Sequence, residues 1–320
     1  MAVSAVLLFS SIPNSFALGD YDFLSEWGEF GIMHPEQLSY PQFLAVDSDG
    51  NSYVSDLGNK RIQKFSSSGE FVTEWGQSGT LSGQFHHPSG IAVDDSFVYV
   101  GDHSLHKIQK FSHNGTFVAE WGSYGNGDGQ LKSPNGIAVD GDFLYVVDSN
   151  NYRIQKFTTD GDFVLSFGTG GIVVTDISSK NDELYDISIQ DNGKIVAVGA
   201  SQDENGFYNV LMVRYSSNGV LDSTFGVKGI VRTEFTIRTP DSVDRDDKAV
   251  AVAIQPDKKI VVAGYDYKDF IVFRYTSNGV LDETFSGDGK MNTSLSPAKD
   301  EVRDVVIQPD GKIILIGKGL

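Results

Sequence analysis

Short apolar runs, each set off by Gly, Asp, Asn or Ser, recur along the chain, and helix signals are scarce. The clearest stretch runs from Pro134 to Gly168. It reads Pro134-Asn-Gly-Ile-Ala-Val-Asp140, Leu144-Tyr-Val-Val-Asp148, Tyr152-Arg-Ile-Gln-Lys-Phe157 and Phe163-Val-Leu-Ser-Phe167-Gly168. Four apolar runs bounded by turn residues predict a four-stranded antiparallel sheet, one strand per run. The Ile-Ala-Val and Leu-Tyr-Val segments are apolar on both sides, as a strand buried on both faces requires. Asp49-Gly50, Asn114-Gly115, Asp160-Gly161, Asn218-Gly219, Asn278-Gly279 and Asp310-Gly311 supply the positive φ of tight hairpins. Pro41, Pro88 and Pro134 open first strands, where a missing N–H is tolerated.

This unit recurs. Asp47, Asp94 and Asp140 lie 47 and 46 residues apart; Phe65, Phe111 and Phe157, and likewise Trp75, Trp121 and Phe167, lie 46 apart. A fixed period of that length predicts propeller blades of about four strands each. Tyr21-Asp-Phe-Leu-Ser-Glu-Trp27-Gly28 matches only the last strand of a unit. After Gly168 the wording changes. Phe167-Gly168 to Thr175 recurs as Phe225-Gly226 to Thr233, and Ile189-Gln190 recurs as Ile254-Gln255 and Ile307-Gln308. Val213-Arg214-Tyr215 through Asn218-Gly219 to Asp222 recurs as Phe273-Arg274-Tyr275 through Asn278-Gly279 to Asp282. Uneven gaps place an insertion near Thr239 to Lys248.

The expected architecture is an all-β, six-bladed β-propeller of four-stranded antiparallel blades. The last unit, Val302 to Gly317, holds two strands. Either the orphan strand at Tyr21–Trp27 closes a shared blade with it, removing exposed edges, or the natural chain continues past Leu320. The segments read as 1–17 signal peptide, 18–168 three blades with the N-terminal closing strand, and 169–320 blades of the second wording in the same propeller.

Gly83-Gln84-Phe85, Pro88, Gly90-Ile-Ala-Val-Asp94, then Arg61-Ile-Gln-Lys-Phe65 or Lys107-Ile-Gln-Lys-Phe111, then Glu-Trp-Gly, resemble the NHL repeat family over about residues 23–168. The second copy departs from it: Asp102-His-Ser-Leu105-His106 stands where the others carry Asp56-Leu-Gly-Asn59 and Asp148-Ser-Asn-Asn151. The repeats from about 167 to 320 resemble the delta-sixty family, which is also associated with propellers.

Composition narrows the function. The chain of 320 residues carries 43 acidic and 25 basic residues, a net charge of −18. That argues against nucleic acid, whose binding rests on Lys and Arg at phosphates, and against attraction to anionic membranes. There are no cysteines, hence no disulfides or thiolate metal sites. Ala2 to Phe9 is apolar, Ile12-Pro13-Asn14 breaks it, and Ser15-Phe16-Ala17 fits a cleavage pattern, so an exported, extracellular or cell-surface protein is expected. The usual Lys or Arg ahead of the apolar run is missing, and an ordinary N-terminal strand is the alternative.

Candidate chemistry is sparse. The recurrent carboxylates Asp47, Asp94, Asp140, Asp56, Asp102 and Asp148 could ring a calcium ion or accept turn N–H bonds. The turn Asp47-Ser-Asp49-Gly50-Asn51 resembles a calcium loop but lacks the distal Glu of an EF-hand. Some NHL-type propellers hold a metal through His of several blades; here no aligned position carries His twice, leaving His103, His106 and Asp102 as a local candidate. Gly122 to Gly129 lacks the Lys-Ser/Thr of a phosphate loop, and no nucleophile elbow is present. Asn114-Gly-Thr116 and Asn292-Thr-Ser294 fit the glycosylation pattern. The expected function is a monomeric, non-catalytic binding propeller without cofactor that holds a protein, peptide or glycan at one face. The alternative is a metal-dependent enzyme of lactonase or peptide-amidating-lyase type.

Overall fold

The computed structural model describes residues 3–11, 21–27, 37–174, 177, 180–234, 246–265, 270–293 and 301–319. The cleavage pattern at Ser15–Ala17 and most of the Thr239–Lys248 insertion lie outside the described residues. Among the described residues, twenty-four strands are arranged in four-stranded sheets. Two strands near the N-terminus come first, β1 (Val3–Ser11) and β2 (Tyr21–Trp27).

Five sheets then form from consecutive strands. Blade 1 is β3 (Pro41–Val46), β4 (Ser52–Asp56), β5 (Arg61–Phe65) and β6 (Phe71–Trp75). Blade 2 is β7 (Pro88–Val93), β8 (Phe97–Asp102), β9 (Lys107–Ser112) and β10 (Phe117–Trp121). Blade 3 is β11 (Pro134–Asp140), β12 (Phe143–Asp148), β13 (Arg153–Thr158) and β14 (Ile172–Val174). Blade 4 is β15 (Asp182–Ile189), β16 (Ile195–Gln202), β17 (Tyr208–Tyr215) and β18 (Ile230–Thr233). Blade 5 is β19 (Lys248–Ile254), β20 (Ile260–Tyr265), β21 (Phe270–Tyr275) and β22 (Lys290–Thr293). All are antiparallel and form a propeller.

The expectation of six blades is corrected to five. Sequence spacing counts the units that begin, and a sixth does begin, as β23 (Glu301–Ile307) and β24 (Ile313–Gly319). It does not build a blade from consecutive strands. These two instead enter a sheet of both chain ends in the order β2-β1-β24-β23. β1 occupies the place beside β24 where Tyr21–Trp27 was expected, in register from Val3↔Gly319 to Phe9↔Ile313.

The fourth strand of blade 3 is also displaced. Phe163 makes only a single bridge to Phe157, and the chain turns before β14 pairs with β13 at Gln155↔Ile172. Blade 4 does the same: Leu221 bridges Tyr215 ahead of β18. Blade 3 therefore begins in the first wording and ends in the second.

The chain divides into two compact units, one of Trp27–Thr175 with Ser217–Val220, the other of Met1–Glu26, Asp176–Ser216 and Leu221–Leu320. In the first unit, Tyr53, Val98, Phe85 and Phe111 share a core cluster with Trp75 against it, and Tyr99, Leu144, Val146 and Phe157 share a second with Trp121 against it. In the other, Val198, Met212, Phe225, Val262 and Phe273 form one cluster, and Val261, Phe270, Val305 and Leu315 another. Each cluster draws on adjacent sheets, so both faces of the middle strands are buried, as their apolar wording requires. Trp121 lies over Gly161, where an added Cβ would come within 2.8 Å of the indole.

Candidate functional site

The recurrent carboxylates at the ends of the second strands are clamps. In blade 3, Asp148 is fully buried. Its Oδ1 accepts the Lys132 N–H at 2.6 Å, and its Oδ2 accepts Asn151 Nδ2, Arg153 Nε and Gln155 Nε2 at 2.7–2.9 Å. Arg153 then donates to the carbonyls of Asn126, Gly127 and Gln130. One ion pair thus ties the connector between blades 2 and 3 to the strands beneath it. In blade 1, Asp56 holds Ser39, Asn59, Arg61 and Gln63 in the same way, and Arg61 reaches the carbonyl of Gln37.

Blade 2 departs where its sequence departs. Lys107 replaces the Arg and pairs with Glu120 instead, at 2.7 Å. Asp102 accepts four backbone N–H groups, from His86, His87, Ser104 and Leu105. A carboxylate so occupied caps a turn. His103 stacks on His87 with ring centroids 4.8 Å apart, while His106 packs on Tyr124 at 4.9 Å and accepts the Ser133 N–H on Nδ1. The three candidate residues are neighbours in the fold, but each is engaged with a different partner. Among the described residues no group of three His, Asp or Glu is placed to hold a metal ion.

The carboxylates at the opposite blade end are turn acceptors. Asp47 accepts from Asn51 and the Tyr53 hydroxyl, and Asp94 accepts from Ser96, Phe97 and the Tyr99 hydroxyl. Burial, then the hydrogen bond and charge of Asp94, push the Tyr99 phenol well above its ordinary value. Lys64, Lys110 and Lys156 lie over aromatic rings at this end, Lys156 3.7 Å from the Phe143 centroid. These three lysines, which recur at one repeat position, are therefore engaged in packing.

The first unit exposes tyrosines at the ends where the first strands start. Tyr40, Tyr124 and Tyr152 are 47%, 64% and 65% exposed. Tyr152 stands at the position of Lys60 and His106, and all three take positive φ, between 53° and 57°. Tyr40 has φ 50° and Ser133 φ 60°. A non-glycine residue in this region costs roughly 1 kcal/mol or more, and such strain gathers at functional sites. Burial first, then His103 and Lys60, lower the His87 pKa to about 4, and burial and His106 lower that of His103. Both rings are neutral at pH 7. Around Tyr124 the surface therefore presents tyrosine and uncharged imidazole, with Lys60 beside His87.

In the other unit the buried ion pair sits elsewhere. Arg214 pairs with Asp222 at 2.8 Å and stacks on Phe225, and Arg274 with Asp282 at 2.8 Å on Phe285. Burial raises the Asp282 carboxyl, but hydrogen bonds from Thr284 and Lys259 and the charge of Arg274 outweigh it and bring the pKa to about 2. On the first strands, Glu183 accepts from the hydroxyls of Tyr185 and Tyr208, with Lys248 at 3.4 Å and over the Tyr208 ring. That cluster is closed on itself.

Residue spacing did not reveal the tyrosine patch, because each tyrosine occurs once among unlike residues at its repeat position. The available signal was negative: no glycine occupies the left-handed positions at 60, 106 and 152.

Family models match parts of both halves. The NHL repeat matches residues 38–65 and 131–157, and a "Domain of unknown function (DUF5122) beta-propeller" matches residues 190–225 and 255–285. The protein brain tumor of Drosophila melanogaster is 35% identical over 68 residues, 21% of this chain; the chain spans about 6% of that relative's length. Among solved structures, a gluconolactonase from Xanthomonas campestris aligns with TM-score 0.53 at 12% identity, covering 88% of this chain and 87% of that one. A streptogramin B lyase aligns with TM-score 0.51 at 16% identity, covering 90% and 95%. The nidogen/laminin complex structure aligns with TM-score 0.52 at 14% identity, covering 87% and 96%. These likenesses show the fold: a β-propeller with NHL repeats.

Proposed function

We propose that this protein is an exported, non-catalytic binding propeller that holds an extended peptide segment of another protein on the tyrosine patch of its three NHL blades. The observation that carries this is the exposure of Tyr40, Tyr124 and Tyr152 on one kind of blade end, with Tyr40 and Tyr152 in left-handed backbone. Tyrosine offers large contact area, a hydroxyl handle and little side-chain entropy to lose. The clamps beneath hold the connectors rigid, which lowers the ordering cost of binding. The acidic surface suits a partner segment that is neutral or basic.

Export is part of the same proposal. It rests on the apolar run from Ala2 and the Ser15-Phe16-Ala17 pattern. A leader would be cut away, whereas the structure pairs Val3–Ser11 with β24; the N-terminal sequence of the protein recovered outside its cells decides between leader and strand.

Peptides selected from a displayed random library against the full chain test the binding site. Binders that lose about tenfold affinity on Tyr124→Ser with Tyr152→Ser support it. The enzyme reading would gain from turnover of a lactone or peptidyl-glycine substrate that depends on added metal.

A further inference from the structure

Blade 4 lacks the clamp of the NHL blades at the matching end. Counting four residues from the hairpin pair Val46↔Ser52 reaches Asp56; counting four from Ile189↔Ile195 reaches Gly199. A side chain there is impossible, since a Cβ would lie 1.8 Å from the Glu183 carbonyl oxygen. β16 instead runs on to Ser201 and Gln202, and a cavity of about 550 Å³ opens over them.

Among the described residues its lining side chains are polar or charged except Ile177. Arg232 and Lys180 bring positive charge; Asp203, Glu204 and Glu234 bring negative. Ser201 sits in a cross-strand row between Asp182 and Asn209, is 1% exposed, and its Oγ has no hydrogen-bond partner. An unsatisfied buried hydroxyl is costly and asks for an explanation. Arg232 gives one Nη2 bond to the Ile177 carbonyl at 3.0 Å, and among the described residues its other guanidinium N–H groups meet no acceptor. The chemistry of the walls selects the ligand class. Among the described lining residues Ile177 is the one apolar side chain, which disfavours a purely apolar guest. Three carboxylates against two cations repel a phosphate. A neutral sugar would meet these groups by hydrogen bonds alone and supply no counter-charge to either sign. A short zwitterion compensates both, its carboxylate on Arg232 and its ammonium on the acidic side.

We propose that this cavity of blade 4 binds a short peptide with free ends, its C-terminal carboxylate held by Arg232 and the Ser201 hydroxyl and its ammonium by Glu204. The site is separate from the tyrosine patch and does not depend on it.

Calorimetric titration of the full chain with trialanine tests it, beside N-acetyl-trialanine, trialanine amide, inorganic phosphate and glucose. The expected result is binding of trialanine that falls about tenfold or more when either end is blocked. Arg232→Gln should abolish the preference for the free carboxylate, and Glu204→Gln the preference for the free amine, with melting temperatures unchanged for both exposed positions. Absence of heat with trialanine up to about 10 mM, equal binding of the blocked peptides, or tighter binding of phosphate or glucose would overturn the proposal.

Discussion

The two kinds of blade solve one problem at opposite ends. Each must hold a buried cation from its third strand where connectors cross. In blade 3 the cation is Arg153, at the end where the first strand starts, held by Asp148 on the second strand. In blade 4, pairing places Arg214 opposite Val196 beside the hairpin, the position that Lys64 takes opposite Tyr53 in blade 1. Its partner Asp222 comes from the turn before the fourth strand. Moving the pair frees the other end. There the NHL blades put a carboxylate and the others a glycine: Gly199, Gly264 and Gly317, each pressed on a backbone carbonyl of the first strand. The lesson is that a blade's closed end is set by its ion pair, and the opposite consequences, a rigid connector surface or an open polar cavity, follow from where that pair sits.

Breaking the clamp should give the largest effect. Asp148→Ala strands Arg153 among carbonyls without a counter-charge, at a cost of about 3–5 kcal/mol, read by urea unfolding. Asp102→Ala removes only backbone N–H bonds and should cost about 1–3 kcal/mol. Equal losses at the two positions would show that the ion pair is not what distinguishes these blades.

Gly199→Ala probes the alternative solution. The methyl must displace the Glu183 carbonyl, and a cost of about 1–3 kcal/mol is expected, with strands β15 and β16 exchanging amide hydrogens faster. Gly206→Ala, where φ is 87° and nothing lies within 4 Å of the added Cβ, shows for comparison the cost of backbone strain without overlap.

The acid limb sharpens the comparison. Asp282 ionises near 2 when folded and near 3.8 when unfolded, so its contribution is complete above about pH 4 and fades as the pH falls toward 2. Asp186 runs the other way. Burial raises its pKa to about 7, against hydrogen bonds from the Val252 and Ile187 N–H groups. A folded-state pKa above the unfolded one means that the native protein holds the extra proton, so stability should fall as pH rises from about 4 to about 7. Asp186→Asn should flatten that slope in chemical denaturation across pH. The NHL blades carry Phe43 and two glycines, Gly90 and Gly136, at this place and should show no counterpart.

The smallest effect is expected at the patch. Tyr152→Gly relieves about 1–2 kcal/mol of left-handed strain against about 0.5–1 kcal/mol of added chain entropy, so a net gain of about 1 kcal/mol or less is expected, while removing a contact residue.

How far the sequence carried this account depends on what repeats. Strand positions, hairpin turns and the interblade aromatics followed from the Pro-x-Gly-Ile-Ala-Val-Asp and Asn-Gly signals, because backbone chemistry recurs with the period. The fourth strand of blade 3 did not, because Phe167-Gly168 ends a strand in one wording and precedes one in the other. The blade count failed because the two strands of the last unit, closed by the orphan N-terminal strand, were counted as a sixth blade. Asp102, His103 and His106 were located together by their departure from the pattern, but their partners, His87, Tyr124 and backbone N–H groups, come from other segments. The cavity over Ser201 was invisible, since it reflects a side chain that Gly199 lacks.

The most direct test of the central claim is the affinity of library-selected peptides for the wild-type chain and for the Tyr124→Ser, Tyr152→Ser double variant at equal melting temperature. A loss of about tenfold or more is the predicted result. Selected peptides that bind both proteins alike, or that compete only at the hairpin ends around Asp94 and Asp140, would contradict it.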